Sequence, residues 1–252
     1  MIKNNVKTKW KNKEVVLNSF LSIPNTFTAE IMSEQGYDAL TIDYQHGMIS
    51  FSDLFTMLQS IRSSGVTPIC RVSGLDHAVI SKVMDAGALG IICPMINNKK
   101  QAEQLVQDCK YPHVGIISFG PTIANFSVSS NYFYESNEGT FCLAMIETQE
   151  AFDNLEDIAS TPGLDGLYIG TADLTIGLNQ GKLSPGFDRT EPEMIEAKKK
   201  ILEIAHKHEK VACLHCGTPE YAAKATNWGF DLVTITNDVR LLSGAAAAHV
   251  KK

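Results

Sequence analysis

Arginine is nearly absent from this chain, standing at four of 252 positions: 62, 71, 189 and 240. Lys and Arg together number 22 against 28 Asp and Glu, a net charge of −6. That balance argues against nucleic acid or an anionic membrane as the main partner. No apolar run approaches the roughly 18–20 residues of a membrane span. Lys3, Lys7, Lys9, Lys11 and Lys13 precede an apolar stretch that Asn18 and Pro24 interrupt, with no cleavage site. No signal peptide is therefore expected, and residues 1–13 read as a solvated basic arm. There is no Gly-x-Gly-x-x-Gly fingerprint, P-loop, internal repeat or interdomain linker. Nor is any disulfide needed, since a chain this long buries roughly three quarters of its unfolded surface. Cys70, Cys93, Cys109, Cys142, Cys213 and Cys216 lie in apolar surroundings. They read as buried thiols in a reducing compartment, the cytoplasm.

What the chain does have is alternation. Eight short apolar runs cover residues 15–23, 39–43, 68–72, 90–95, 141–147, 166–170, 211–215 and 231–236. Several are continuous, as in parallel strands covered on both faces. Helical patterns lie between them, over residues 26–35, 52–64, 77–86, 100–109 and 193–208, with another opening at Thr218-Pro219. This order predicts one (β/α)8 TIM barrel over residues 1–252, with an open doubly wound sheet as the alternative. Two connections are long, residues 115–139 and 177–189. Connections of that length in a compact domain suggest lids, binding loops or disordered segments.

Reactive groups in such a barrel gather where strands end. The second run ends Asp43-Tyr44-Gln45-His46-Gly47, a carboxylate and an imidazole three residues apart that can form an oriented base. Arg71 lies inside an apolar run, which is costly unless the guanidinium meets an anion. Glu147 and Asp173 end or follow two consecutive runs. Two carboxylates plus waters suit Mg²⁺ or Mn²⁺ and leave positions open for substrate oxygens. None of the eight runs contains a lysine, and Lys99 and Lys182 are only weak loop candidates. Schiff-base chemistry is therefore not expected, and a metal should supply the electrophile. Cys213-Leu214-His215-Cys216 lacks a second ligand pair and reads as buried thiols. His206 and His208 read as solvated.

These residues in this order resemble the HpcH/HpaI family of metal-dependent pyruvate aldolases. The likeness rests on Asp43-x-x-His46-Gly47, Arg71, Asp85-Ala86-Gly87-Ala88, Pro94-Met95, Ile146-Glu147-Thr148 and Ile169-Gly170-x-x-Asp173-Leu174, and it spans about residues 10–248. The resemblance implies a divalent cation (Mg²⁺, Mn²⁺ or Co²⁺) on Glu147 and Asp173. It implies an oxo-acid carboxylate held at Gly170, Thr171, Ala172 and Asp173, and an enolate oxygen facing Arg71. His46 would be the acid/base, paired with Asp85 across a subunit contact, and Asp43 would orient the site. The assembly implied is a homo-oligomer, hexamer or trimer, whose subunits exchange their last helix; the small-residue tail at 243–248 suits close helix packing.

The chain also departs from the family pattern. Gln45 stands where Glu is usual, and Ile117 and Asn125 stand near the positions of loop arginines. The expected activity is cleavage of a 4-hydroxy-2-oxo acid to pyruvate, or hydroxypyruvate, and an aldehyde. Oxaloacetate decarboxylation, CoA-ester lyase action and a non-catalytic oxo-acid-binding barrel are the alternatives. With Phe119, Phe126, Tyr132, Phe133 and Tyr134 in the same loop, the expectation is an aromatic lid that favours small neutral aldehydes over acidic ones.

Overall fold

The computed structural model describes residues 2–250. Eight parallel strands close into a barrel in chain order: β1 Val16–Leu21, β2 Ala39–Asp43, β3 Thr67–Arg71, β4 Gly90–Cys93, β5 Phe141–Ile146, β6 Gly166–Ile169, β7 Val211–Cys216 and β8 Leu232–Asn237. The helices are α1 Asn5–Lys11, α2 Thr26–Ser33, α3 Phe51–Ser63, α4 His77–Asp85, α5 Lys99–Cys109, α6 Thr122–Ser127 and α7 Tyr132–Gly139. They continue as α8 Gln149–Asp153, α9 Leu155–Ala159, α10 Thr171–Asn179, α11 Pro192–Lys207, α12 Pro219–Trp228 and α13 Asp238–Val250. The (β/α)8 barrel expected from the alternation is the fold, and the open sheet is excluded because β1 pairs with β8.

Period-two alternation divides each strand between two cores. One face of the strands packs against the helices, with Leu40, Ile42, Ile91, Ala144 and Leu214 among its residues. The other fills the barrel interior with Phe20, Ile69, Ile92, Phe141, Leu143 and Tyr168. Gly90 makes room for the Phe141 ring, which a Cβ at residue 90 would strike. Helix starts fall near the residues expected. Asn25 caps α2, and Ser50 with Asp53 forms a capping box on α3. Asn25 and Ser50 have extended backbones, so their side chains can turn back onto the first free N–H groups.

Two expectations fail for one topological reason. In a βα barrel, connections from helix to strand lie at the N-terminal face, away from the chemistry. The segment at 115–139 links α5 to β5, so it covers that face rather than forming a lid. Ile117, Tyr111, Tyr132 and Leu89 form a buried cluster there, with α6 and α7 folded over it. The N-terminal residues share this face. Val6 is fully buried and joins the barrel-interior cluster, and Trp10 packs edge-on against Phe141 at 4.9 Å. The Trp10 indole N–H also donates to the Asp231 carbonyl at 3.2 Å. Residues expected to form a solvated arm thus contain a helix that plugs the barrel. The lysines show why: Lys7 and Lys9 pair with Asp165 and Asp38 while the apolar side of the helix turns inward.

Trp10→Ala should therefore destabilise the protein by about 2–4 kcal/mol, the low end for aromatic truncation because the ring is only partly buried. Thermal unfolding should show a midpoint lowered by several degrees. A solvated arm would give a change within about 0.5 kcal/mol.

Candidate active site

Asp43 and Arg71 sit opposite each other at the ends of β2 and β3, in register. The guanidinium donates twice to one carboxylate, Nε to Oδ1 at 2.9 Å and Nη2 to Oδ2 at 2.7 Å. Both groups are largely removed from water. The bidentate fork fixes the plane of the guanidinium, and the Phe20 ring lies 4.9 Å from its central carbon. Asp43 Oδ1 also accepts from the backbone N–H groups of Gln45 and His46, at 3.2 and 3.1 Å. Asp43 therefore holds the His46 loop by its backbone. The Asp43–His46 base read from the sequence is not formed; the carboxylate belongs to Arg71, and the exposed imidazole lies free at the cavity wall.

Glu147 follows β5 and is buried. Its Oε1 accepts the Met95 N–H at 2.7 Å. Met95 has φ +59, the left-handed region that a side chain disfavours, and this turn aims its amide at the carboxylate. Oε2 lies against Gly170, where a Cβ would come within 2.5 Å of it. Burial raises the Glu147 pKa, and the like charge of Asp173 adds to the rise. Asp173 is exposed in the first turn of α10 and has no hydrogen bond among the described residues. No third His, Cys, Asp or Glu joins this pair among the described residues. The donor set fits a hard divalent cation that leaves its other positions to water and substrate oxygens.

No side chain caps the N-terminus of α10, which begins at Thr171 after Gly170. Its first N–H groups, with the positive end of the helix dipole, face the same cavity and suit a carboxylate. That cavity measures about 360 Å³ and is lined by Asp43, His46, Arg71, Gly170, Thr171, Ala172 and Asp173 among others. A larger hollow of about 490 Å³ lies at the opposite face between α1 and α7, without paired carboxylates of this kind.

Of the site residues expected from the sequence, Asp43, His46, Arg71, Gly170, Thr171, Ala172 and Asp173 line the cavity and Glu147 lies against Gly170, whereas Asp85 lies at the other end of the barrel. It ends α4, just before β4 begins, and so sits at the N-terminal face. Its Oδ1 is buried without a hydrogen-bond partner, and burial raises its pKa. Within one chain it cannot meet His46. Ile117 and Asn125 are likewise absent from the cavity wall.

The sequence reading missed Phe187, Asn237 and His215, which line the cavity. Strand alternation could have found His215, since it lies two residues beyond the inward-facing Cys213 at the C-terminal end of β7. Phe187 comes from the second long connection. Lys198, buried and with its pKa pushed down to about 8 by desolvation, donates to the carbonyl of Phe187 at 3.3 Å and to the Tyr221 hydroxyl at 2.8 Å. Asp188 accepts from Gly217 N–H and the Thr218 hydroxyl, both at 2.7 Å. The loop is thereby fastened to α11 and α12.

This constellation sits at the C-terminal face of the barrel, where reactive groups of such folds gather. In comparison with known proteins, residues 17–243 match the model for HpcH/HpaI aldolase/citrate lyase, and the chain belongs to that family. It is 37% identical over 243 residues, 96% of each chain, to the hydroxypyruvate/pyruvate aldolase of Rhizorhabdus wittichii. Identity is 27% over 244 residues, 96% of this chain and 93% of the relative, to a 5-keto-4-deoxy-D-glucarate aldolase of Escherichia coli O6:H1. A solved HpcH/HpaI aldolase/citrate lyase family protein from Burkholderia cenocepacia shares the fold, with TM-score 0.90, 24% identity and coverage of 99% of this chain and 98% of that one. The chain is accordingly an enzyme of the lyase class.

Burying the Glu147 carboxylate beside Asp173 costs stability in the metal-free protein. Because its folded pKa is raised, that cost is absent below the unfolded pKa and grows as pH rises through the folded pKa. Glu147→Gln should therefore raise the thermal midpoint in chelator at pH 7, and the gain should shrink as pH falls toward 4. An equal or lower midpoint for the variant at pH 7 would contradict this.

Proposed function

We propose that this chain is a divalent-metal-dependent aldolase that reversibly cleaves a 4-hydroxy-2-oxo acid to pyruvate, or hydroxypyruvate, and an aldehyde. The observation that carries the reading is one cavity that gathers the clamped Arg71, the His46 imidazole and the uncapped start of α10 with Asp173, while the buried Glu147 carboxylate lies against Gly170 of the same wall. The names of the two curated relatives support it.

A divalent cation (Mg²⁺, Mn²⁺ or Co²⁺) between Glu147 and Asp173 would polarise the 2-oxo group as a Lewis acid. The chain's own residues do the rest. The backbone N–H groups at Ala172 and Asp173 bind the carboxylate. Arg71, fixed by Asp43, donates to the C2 oxygen as negative charge grows there. His46 takes the proton from the C4 hydroxyl. The C3–C4 bond breaks, its electron pair passes into the enolate, and the C4 carbonyl of the aldehyde forms. A proton then returns to C3 to give the oxo acid.

The active form in this reading is a homo-oligomer. Every residue from 239 to 250 is exposed, including Leu241, Leu242 and Val250, so α13 leaves its own barrel with an apolar face uncovered. Exchange of this helix between subunits would cover it. The buried, unpartnered Asp85 Oδ1 supports a pairing with His46 of a second subunit. The six cysteines are free and buried, which supports a cytoplasmic location; no helix among the described residues is long and apolar enough to cross a membrane.

The preference for neutral aldehydes rests on the cavity rather than on a lid. Arg71 is the one Lys or Arg on its wall among the described residues, and Asp43 already neutralises it. Chelator should lower cleavage at least tenfold, and Mg²⁺, Mn²⁺ or Co²⁺ should restore it. Trapping of a pyruvate adduct by borohydride would refute the metal-dependent reading, and turnover of oxaloacetate with no aldol cleavage would replace it with decarboxylation. In the synthetic direction, kcat/KM should favour glycolaldehyde over succinic semialdehyde; the reverse order would show an unassigned cation at the site.

A further inference from the structure

A chain of five polar side chains crosses the barrel interior beneath the cavity. The Thr41 hydroxyl lies 3.1 Å from Asn18 Oδ1, and Asn18 Nδ2 lies 2.8 Å from Thr234 Oγ1. Thr234 Oγ1 is 2.8 Å from the Tyr168 hydroxyl, which is 3.2 Å from His215 Nδ1. Thr41, Asn18, Thr234 and Tyr168 are all fully buried, so water cannot complete their hydrogen bonds.

Counting hydrogens fixes the direction of this chain. The Thr41 hydroxyl has one acceptor, the Asn18 amide oxygen, and reversing the Asn18 amide would leave that hydroxyl hydrogen without one. Asn18 therefore donates to Thr234. Thr234 must place its own hydrogen on the Tyr168 oxygen, because Asn18 Nδ2 is a donor only. Tyr168, whose burial pushes its pKa up and keeps it protonated, then donates to His215 Nδ1. An imidazole that accepts at Nδ1 carries its hydrogen on Nε2.

The surroundings keep that imidazole neutral. Burial, reinforced by the positive charge of Arg71, pushes its pKa down to about 3. Phe187 stacks on the ring at 4.6 Å, and Phe20 meets it edge-on at 4.8 Å. Nε2 has no protein partner, yet it is not among the buried polar atoms without one, so it opens on the cavity that His215 lines. The Thr171 hydroxyl donates to the His215 carbonyl at 2.9 Å, which puts His215 beside the start of α10.

We propose that His215 is a specificity-determining residue, a neutral Nε2–H donor that takes a hydroxyl oxygen on the third carbon of the 2-oxo acid. This rests on the aldolase reading of the same cavity. Its neighbours, Arg71 and Thr171, lie where that reading puts the oxo acid rather than the aldehyde. A neutral donor between aromatic rings suits an uncharged oxygen and offers nothing to a second carboxylate. Tyr168, Thr234, Asn18 and Thr41 are positioning residues that set the tautomer.

The test compares hydroxypyruvate with pyruvate as donor, one aldehyde being common to both, in the holoenzyme. His215→Leu should lower the ratio of kcat/KM for hydroxypyruvate to that for pyruvate by about three- to tenfold, the worth of one neutral hydrogen bond. His215→Gln, which keeps an N–H donor, should recover part of the ratio. A ratio unchanged in His215→Leu, or a change confined to selectivity between glycolaldehyde and acetaldehyde, would overturn the proposal. Nitrogen-15 NMR of histidine-labelled protein, with His215→Gln for assignment, should show a neutral His215 protonated at Nε2 at pH 7. Protonation at Nδ1, or a charged ring, would overturn it independently of turnover. Should the wild type use neither donor, the aldolase reading fails while the tautomer measurement still decides this inference.

Discussion

The double hydrogen bond between Arg71 and Asp43 is the constraint on which the rest of the site depends. A guanidinium at the mouth of an apolar barrel is tolerable because a carboxylate on the neighbouring strand meets it in register. The same carboxylate ties down the loop that carries His46. One buried anion thus sets the position of the cation that faces the cavity and of the backbone that presents the acid/base candidate. Removing either partner of such a pair leaves an uncompensated buried charge, at a cost of about 3–5 kcal/mol. The positions of Arg71 and His46 are therefore coupled through Asp43.

Around this clamp the barrel distributes charge by strand. β2 and β3 bring the ion pair. β5 and the start of α10 bring the two carboxylates whose mutual repulsion a divalent cation would relieve. β6, β7 and β8 bring a neutral network that ends at His215. Negative, positive and neutral groups thus meet at one end of the barrel, an arrangement that fits the proposed enolate chemistry. Local stability is lowest at Glu147, buried against a like charge, and at Met95, held at positive φ with its amide on that carboxylate.

Much of this was legible in the sequence, for identifiable reasons. Continuous apolar strands and capped helices carry short-range signals, and strand ends in a barrel are where reactive groups collect. Asp43, His46, Arg71, Glu147 and Asp173 could thus be named from position alone. Other features depend on three-dimensional accounting. Whether Asp43 serves His46 or Arg71 depends on cross-strand register. The aromatic segment at 115–139 looked like a lid because length does not say at which face a connection lies. The basic N-terminus looked solvated because the burial of Val6 is visible only once the barrel has an open end to plug. His215 was masked by its cysteine neighbours, and its direction as a donor emerges only from the hydrogen count across four other residues.

The central claim is that this cavity forms an enolate of a 2-oxo acid next to Arg71. Exchange of the pyruvate methyl protons with D2O, followed by proton NMR with no aldehyde present, measures that step alone. The wild-type protein with a divalent cation should exchange these protons, and Arg71→Ala and Asp43→Asn should each slow the exchange at least a hundredfold. Undiminished exchange in both variants, or none in the wild-type protein, would contradict the account.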